Sequence, residues 1–285
     1  MRFLQFLVFG VVTGSFLLVA TIGFALTRRV EGFLNIAHAE LITVSAFGTW
    51  FLNRELGWNF FLAGGVAVIA TSLLGLAVAR VFYDPIKRMG TSVLLITSVG
   101  VTFFLHGIAE GAIGTGIRVF DIPTPTVLVI GDIRITNYQI AIIVIAIIAA
   151  VGLTLFMNRT QTGMSIRAMA INRELAASRG IDIRATSRAT WLIASGLGGV
   201  AGVLLGVQAT LTTDIAFQQI LIILTVAIVG GLGSLYGVIV AAFLVGIAMD
   251  LSVLWLPSGY RPMVAFAVVI IVLAVKPSGL AGSSS

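Results

Sequence analysis

Long runs of apolar residues alternate with short polar segments along the whole chain. The runs fall at about 3–27, 32–52, 59–82, 91–113, 138–157, 189–211, 217–231, 233–251 and 261–276. A helix of roughly 20 apolar residues is long enough to cross a bilayer, so the pattern predicts an all-α, polytopic membrane protein with about 8 to 9 transmembrane helices. The first run is longer than the apolar core of a signal peptide and is predicted to be the first span.

A glycine-rich sequence interrupts the apolar stretch 217–251, so one or two of the predicted helices are expected to be broken. Consecutive glycines leave backbone groups without helical partners at membrane depth. The interruption predicts either two crossings or one crossing beside a partly re-entrant helix. It is either a gate that lines a translocation pathway or a tight turn between helices. The residues concerned are Gly230, Gly231, Gly233 and Ser234.

A second set of glycines, Gly198, Gly202 and Gly206, recurs every four residues within the run 189–211. Residues with this spacing share one face of a helix, and glycine lets another backbone approach closely. The stripe therefore predicts tight packing between helices rather than chemistry.

The one long polar stretch, 159–188, is rich in arginine. Loops that carry many lysines and arginines stay on the cytoplasmic side of a membrane. This rule assigns 159–188 to the cytoplasm, and alternation of the helices then places the N-terminus outside and the C-terminus inside. Arg28, Lys87 and Lys276 fall on the cytoplasmic side in this arrangement.

Composition excludes most other classes of protein. Apolar residues make up 59% of the 285 residues and charged residues only 10%, with a mean hydropathy of +1.12, which excludes a soluble globular protein. The absence of cysteine excludes disulfides, and two histidines argue against a histidine-rich metal centre. A single membrane domain, 1–285, is predicted, in which 282–285 form a flexible tail or an engineered remnant.

The net charge of +6 resides in the connecting segments, so membrane topology accounts for it better than binding to nucleic acid. No catalytic residue, metal or cofactor is expected on this chain. Neither Lys87 nor Lys276 follows a glycine, so the phosphate-binding sequence Gly-x-x-x-x-Gly-Lys is absent. Gly-x-Ser-x-Gly and His-Glu-x-x-His are absent too, which argues against a membrane hydrolase.

Within the polar stretch, Thr160–Gly163 is predicted to be a turn and Ser165 the N-cap of a short helix. That helix is expected over Ile166–Arg179 and is expected to end at Gly180. Such a helix, with several alanines, can lie in the groove of a partner protein. The alternative is a basic loop that binds anionic lipid headgroups.

Asn35, His38 and Glu40 lie near the predicted cytoplasmic start of the run 32–52. Polar side chains are costly in hydrocarbon and must face protein, water or a substrate path. These three either line a translocation pathway or bond to carbonyl groups that a break in the helix leaves free.

His106 and Glu110 are four residues apart, the spacing at which an imidazole and a carboxylate pair on one helix face. A proton relay is one interpretation, although Glu110 lies close to the predicted outer end of its span. Asp214, Gln218 and Gln219 cluster at another outer end, where they meet a solute, a docking protein or only solvent.

Four sequence elements follow one another along the chain. They are Gly-Phe-Leu-Asn-Ile-Ala-His-Ala-Glu at 32–40, the cytoplasmic residues 167–181, Val-Gly-Gly-Leu-Gly-Ser at 229–234, and Lys-Pro-Ser-Gly-Leu at 276–280. Together they resemble the permease family of branched-chain amino acid ABC importers. The likeness spans nearly the whole chain, and the Asn-x-Ala-His element and modest length resemble the shorter of that family's two permease subunits.

The resemblance implies that 159–188 is a cytoplasmic coupling loop with a coupling helix that rests on an ATP-binding subunit. Glu174-Leu175-Ala176 followed by Gly180 is similar to the Glu-Ala-Ala-x-x-x-Gly loop of such permeases and departs from it at Leu175. The residues implied in coupling to the ATPase are Arg167, Arg173, Glu174, Ala176, Gly180 and Ile181.

The resemblance also implies an assembly in a bacterial or archaeal plasma (inner) membrane. ATP and Mg would bind to partner ATP-binding subunits, and the further partners are a second permease, an external substrate-binding protein and membrane lipid. Family members carry branched-chain amino acids, other amino acids, urea or short amides, and the sequence does not choose among them. The alternative is a stand-alone, ion-coupled secondary carrier or channel that uses His38, Glu40, His106 or Glu110.

Overall fold

The computed structural model describes residues 2–114, 116–131, 133–215, 217–231 and 234–281. Its helices are α1 (Arg2–Glu31), α2 (His38–Trp50), α3 (Phe60–Val78), α4 (Thr91–Ile113), α5 (Asn137–Arg159), α6 (Gln161–Ile171), α7 (Arg173–Ser178), α8 (Ile183–Gln208), α9 (Ile220–Gly230), α10 (Leu235–Ser252) and α11 (Arg261–Val275). Irregular helical turns extend α2 over Phe51–Glu55, extend α3 over Ala79–Tyr83 and Asp84–Met89, and precede α11 at Ser258–Tyr260.

The predicted all-α membrane architecture is confirmed for the described residues. Each predicted apolar run contains a helix, and seven helical segments are long and apolar enough to cross a membrane. The stretch 217–251 forms two helices, of which α9 has only 11 residues. A helix of this length extends about 16 Å, roughly half the thickness of the hydrocarbon. α9 is therefore the short, partly crossing helix that the interruption indicates.

The run 32–52 does not become helical at its start. Gly32 adopts a left-handed conformation (φ +84°), which ends α1, and the chain stays non-helical until His38. The α-helical part of α2 consequently has 13 residues. This segment is a second broken element, in addition to the one predicted at 230–234.

α1 is the central helix of the bundle. Residues 12–27 are all buried, and the helix packs against α5, α8, α9 and α10. Its approach to α10 depends on glycine, since a Cβ at Gly10 would lie 2.6 Å from the Cα of Ile247, and one at Gly14 would lie 2.9 Å from the ring of Phe243. The other helices are therefore arranged around α1.

Two glycines of the α8 stripe, Gly198 and Gly202, lie against α2, which confirms the predicted close packing, whereas Gly206 lies against the ring of Phe120. A Cβ at Gly198 would lie 3.0 Å from the imidazole Cε1 of His38. A Cβ at Gly202 would collide with the carbonyl oxygen of Ile42 and lie 2.9 Å from the Cβ of Ser45. The absence of side chains on this face of α8 thus sets the position of α2.

The segment between α4 and α5 contains a β-hairpin that the apolar pattern does not predict. Strand β1 (Val127–Ile130) pairs antiparallel with β2 (Ile133–Thr136). The side-chain amide of Gln5 donates to the carbonyl of Arg134 and accepts from its N–H, both at 2.8 Å. The hairpin is thereby fastened to the N-terminal end of α1.

Replacing Gly202 with alanine is expected to loosen the contact between α8 and α2. Overpacking of this kind costs about 1–3 kcal/mol, so the midpoint of thermal unfolding of the purified protein should fall. Gly65→Ala on α3 is the matched control, because nothing lies within 4 Å of a Cβ at that position. Equal midpoints for Gly202→Ala and the wild type would contradict the packing.

Candidate functional site

α2 begins inside the membrane rather than at its surface. The Nε2 atom of His38 lies 3.0 Å from the carbonyl oxygen of Ala20 on α1. Ala20 lies about 16 Å along the helix axis from Glu31, the last residue of α1. Residues 32–37 therefore turn back from the end of α1 into the membrane. The prediction that His38 and Glu40 lie near the cytoplasmic end of their span is wrong, because this non-helical return places them deeper.

Side chains from neighbouring helices bond to the non-helical segment before α2. Tyr83 donates its hydroxyl to the side-chain oxygen Oδ1 of Asn35 at 2.9 Å. The hydroxyl of Ser98 on α4 accepts the backbone N–H of Ile36 at 3.2 Å and lies 3.3 Å from the carbonyl oxygen of Leu34, to which it can donate. An unpaired backbone group in hydrocarbon costs several kcal/mol, so the contacts of Ser98 with the backbone help to make an irregular segment possible at this depth.

Asn35 and His38 are buried and anchored by neighbouring helices. They are 2% and 1% exposed, respectively. Their partners are a tyrosine hydroxyl and a carbonyl within the continuous helix α1, and neither partner is a carbonyl freed by the break. The anchoring is thus structural, and a role for these two residues in the pathway stays a prediction.

Glu40, His106, Glu110 and Asp214, the acidic cluster, meet where the first turn of α2 approaches α4. Oε1 of Glu40 lies 3.4 Å from Nδ1 of His106. The other ring nitrogen, Nε2, lies 3.5 Å from Oδ1 of Asp214 and 3.8 Å from Oε1 of Glu110. The predicted pairing of His106 with Glu110 is confirmed as a contact. Nothing in the sequence spacing indicates that Glu40 and Asp214 reach the same ring.

The acidic cluster lies in the half of the membrane far from the arginine-rich segment. His106 is about 22 Å along the axis of α4 from Thr91, the first residue of that helix. Thr91 borders a cavity shared with Arg173 and Arg184, so the start of α4 lies at the arginine-rich side. By the positive-inside rule, the cluster therefore belongs to the external half.

Three buried aromatic side chains form a layer, the aromatic layer, on the arginine-rich side of His38. Phe33, which belongs to residues 32–37, is one of the three. The ring centroid of Tyr83 is 5.3 Å from that of Trp191 in a stacked arrangement and 5.0 Å from that of Phe33. Trp191 also borders the cavity at the arginine-rich side, which has a volume of about 750 Å³. The aromatic layer therefore separates this inner cavity from the start of α2.

The predicted coupling helix is divided in two. Thr160 is the N-cap of α6, since its Oγ1 accepts the N–H of Gly163 at 2.9 Å. The predictions of a turn at Thr160–Gly163 and of a cap at Ser165 are therefore wrong. Asn172 breaks the helix expected over 166–179, because its Oδ1 accepts the N–H of Leu175 at 2.9 Å and starts α7.

The predicted end of the helix at Gly180 is confirmed, since Gly180 follows α7 and adopts a left-handed conformation (φ +82°). Asp182 is the N-cap of α8. Its carboxylate accepts the N–H groups of Ala185 and Arg184, and these bonds lower the pKa of Asp182 below its ordinary value.

The residues predicted to couple to an ATPase divide between buried and exposed positions. Ala176 lies on the buried face of α7, and Ile181 is half-buried. Arg167 donates to Oδ1 of Asn158 at 2.9 Å, which ties α6 to the end of α5. Glu174 is exposed. No observation tests whether any of them contacts an ATPase, so that role stays a prediction.

Glu31 connects the coupling segment to the membrane helices. Its side chain is fully buried, and Nζ of Lys87 lies 2.6 Å from Oε2. Ser187 on α8 donates to the other carboxylate oxygen. Nη1 of Arg173 on α7 lies 3.7 Å from Oε2. These contacts, the Glu31 network, join α7 to α1, to the extension of α3 and to α8.

Of the glycine-rich interruption, residues 232 and 233, and with them Gly233, lie outside the described residues; the N–H of Ser234 donates to the carbonyl of Gly231 at 3.0 Å between α9 and α10. Gly231 adopts a left-handed conformation (φ +89°), and Ser234 caps α10 by accepting the N–H of Gly237 at 3.1 Å. A Cβ at Gly230 would lie 2.7 Å from the Cα of Val238. The geometry is that of a tight turn, and a gating role stays a prediction.

Comparison with known proteins places this geometry in a family. Residues 6–273 match the family described as branched-chain amino acid transport system / permease component. The chain belongs to this family. It is 30% identical to the high-affinity branched-chain amino acid transport system permease protein LivH of Escherichia coli (strain K12), over 98% of this chain and 96% of LivH. It is 28% identical to the corresponding permease protein BraD of Pseudomonas aeruginosa, over 99% of this chain and 96% of BraD.

The permease is therefore a multi-pass transport protein of the plasma membrane, and it resembles the shorter permease subunit, LivH. Its fold is similar to that of PsaBC from Streptococcus pneumoniae in complex with Fab. The TM-score is 0.51 at 13% identity, over 98% of this chain and 93% of that chain. This likeness concerns the fold alone.

Substituting phenylalanine for Tyr83 should destabilise the permease while keeping the aromatic layer packed. The change leaves Oδ1 of Asn35 without its donor, and an unsatisfied buried acceptor costs about 1–3 kcal/mol. Tyr138→Phe is the control, because its hydroxyl bond to the carbonyl of Pro123 is exposed. Thermal unfolding of both purified variants checks this. Equal falls in the two midpoints would contradict a special contribution of the buried bond between Tyr83 and Asn35.

Proposed function

We propose that this permease is the membrane subunit of an ATP-driven ABC importer that carries branched-chain amino acids or related small solutes into the cell. Its relatives LivH and BraD are permease proteins of high-affinity branched-chain amino acid transport systems. In this proposal, ATP and Mg bind to separate ATP-binding subunits. A second, longer permease completes the pathway, and an external binding protein delivers the substrate.

The observation that carries this proposal is a set of apolar side chains exposed at the arginine-rich side, outside the membrane spans. Met164, Ile171 and Leu175, the apolar tip, are 49%, 80% and 55% exposed. Large apolar side chains left exposed to water outside the membrane spans are typical of a surface that another protein covers. Leu175 follows Glu174 at the centre of the predicted coupling loop. The apolar tip therefore suits docking to an ATP-binding subunit better than binding to lipid headgroups.

The Glu31 network gives such docking a route into the membrane. A displacement of α7 pulls on Arg173, whose guanidinium lies 3.7 Å from the Glu31 carboxylate. That carboxylate also holds Lys87 and Ser187, so the ends of α1, the α3 extension and α8 respond together. Ion pairs with buried carboxylates are strongly coupled because little solvent screens them.

The aromatic layer is the element that such a movement would open. Phe33 follows shortly after Glu31 in the chain, and Trp191 lies one helical turn beyond Ser187 on α8. Tyr83 ends the first extension of α3, close to Lys87. A movement of the three positions held by the Glu31 network thus separates the three rings and connects the inner cavity with the external half. Closure of the ATP-binding subunits supplies the force in this mechanism.

A second candidate function is a stand-alone, ion-coupled carrier, and the acidic cluster is the observation that favours it. An imidazole between carboxylates inside a membrane protein can exchange protons with a pathway. The two functions differ in their source of energy. Uptake of labelled leucine, other amino acids and amides into proteoliposomes, with and without ATP and partner subunits, distinguishes them. Gradient-driven uptake by the permease alone would replace the importer proposal.

Leu175→Glu should reduce co-purification of the permease with its ATP-binding subunits at least tenfold, because it places a charge in an apolar contact. Ile117→Glu is the control, since Ile117 is 69% exposed but lies in the loop after α4, at the opposite side. Both variants are expected to keep the elution profile of the isolated permease. Retention of the ATP-binding subunits by Leu175→Glu would contradict docking at the apolar tip.

A further inference from the structure

The acidic cluster holds more negative charge than its own imidazole can neutralise. Three carboxylates lie within 3.8 Å of the ring of His106, so the net charge is negative even when that ring is protonated. The ion pairs found among the described residues join none of these carboxylates to a lysine or arginine. Charges in a membrane protein require a compensating partner. A cationic ligand would supply one.

The need for a compensating partner is greatest at Glu40. Its side chain is fully buried, and within the described part of the chain neither carboxylate oxygen has a hydrogen-bond partner. Nδ1 of His106, its neighbour at 3.4 Å, lacks a hydrogen bond as well, so the two groups approach without bonding geometry. A carboxylate removed from water without a donor costs free energy that a donor would recover.

The cluster is also open to an arriving solute. The side chains of Asp214 and Glu110 are 57% and 44% exposed. Exposed carboxylates on a membrane helix bundle face a water-filled path or a partner rather than lipid. Both lie toward the external end of the bundle. A solute released by an external binding protein reaches these two carboxylates before it reaches the buried Glu40.

Apolar surface adjoins this acidic mouth. Phe217 and Phe103, the phenylalanine pair, are 40% and 63% exposed. The ring of Phe217 lies 6.2 Å from the imidazole of His106 and 6.4 Å from the ring of Phe103. Aromatic faces attract organic cations and also hold alkyl chains. The site therefore combines recognition of positive charge with recognition of an apolar group.

The arrangement fits an organic ammonium better than a metal ion. Glu40 approaches one ring nitrogen of His106, and the other two carboxylates approach the opposite nitrogen, so their oxygens do not converge on one point. Convergent oxygens are what Ca²⁺ or Mg²⁺ requires. No group of three side chains suited to a metal ion occurs in the described ranges. A primary ammonium has three N–H donors that can reach separate acceptors.

We propose that the acidic cluster binds the α-ammonium group of an apolar amino acid, while the phenylalanine pair holds its side chain. Asp214 and Glu110 accept the ammonium at the mouth, and Glu40 attracts it from the buried side. This proposal rests on the proposed function, because the substrate reaches the site as cargo of the importer. It adds which end of the substrate the permease recognises and where.

Three probes that carry the same isobutyl group test the assignment on the assembled importer. L-Leucine carries both charged groups, isoamylamine carries only the ammonium, and 4-methylpentanoate carries only the carboxylate. Direct binding to the complex, without the external binding protein, is measured by calorimetry for each probe. Leucine and isoamylamine are expected to bind, and 4-methylpentanoate is not. The double variant Asp214→Asn/Glu110→Gln should weaken binding of both amines more than tenfold.

The matched control is Glu55→Gln, which removes an exposed carboxylate at the external end of the α2 extension without touching the cluster. It should leave binding of all three probes unchanged. The single variants Asp214→Asn and Glu110→Gln repeat the measurement if the double variant does not assemble, and each should weaken isoamylamine at least threefold. Equal binding of isoamylamine by the wild type and these variants would overturn the proposal.

Other outcomes separate this site from the importer function. Displacement of isoamylamine by sodium chloride, but not by an equal ionic strength of choline chloride, would assign the cluster to an inorganic ion and overturn the proposal. ATP-driven leucine uptake that survives in the variants would support the importer proposal and contradict the proposed ammonium site. Conversely, isoamylamine binding that depends on the cluster would support the site even if the complex carried no leucine.

Discussion

Polar backbone inside a membrane must find partners within the protein, and the start of α2 is where this chain depends most on that constraint. The return of residues 32–37 into the bundle is held by the imidazole of His38, which bonds to the carbonyl of Ala20. That ring fits because two glycines face it: a Cβ at Gly23 or at Gly198 would lie 3.0 Å from its Cε1. Glycines on α1 and α8 thus make room for the histidine, and the histidine fixes α2 at mid-depth.

Both candidate sites follow from this placement. Because α2 starts inside the membrane, its first turn carries Glu40 to the imidazole of His106, whereas a helix starting at the surface would leave it at the headgroups. The same return places Phe33 against the ring of Tyr83, on the side of the inner cavity. One irregular segment therefore separates an external acidic mouth from an internal aromatic layer, and movement of that segment affects both.

Much of the fold could be predicted from the sequence because it follows from local pattern. Apolar runs give helices, the α8 stripe gives close packing, and Gly180 ends a helix. The division of the coupling helix could also be predicted from local sequence, since Asn172 is a strong N-cap residue and begins α7. The N-cap of α6 is harder to predict, because Thr160 and Ser165 are both suitable residues and the structure uses Thr160. The pairing of His106 with Glu110 could be predicted from their spacing, but the approach of Glu40 and Asp214 to the same ring could not, because both are far from His106 in sequence. Only tertiary packing brings the first turn of α2 and the loop before α9 to α4.

Two buried glutamates show how burial and partners together indicate a role. Glu31 has an ammonium at 2.6 Å and a serine donor, so its charge is compensated within the chain and it acts as a joint between helices. Glu40 is equally buried but has only an imidazole at 3.4 Å without hydrogen-bond geometry. The free energy of burying a carboxylate is similar in the two places, yet only one is offset by the fold itself. A carboxyl group that the fold leaves without a donor, at the end of the bundle where the proposed importer receives its substrate, is the position at which a ligand contributes most to stability. In the proposed mechanism this contribution is lost again when the helices move, and residues 32–37, which connect Glu31 to the start of α2, carry that movement to Glu40.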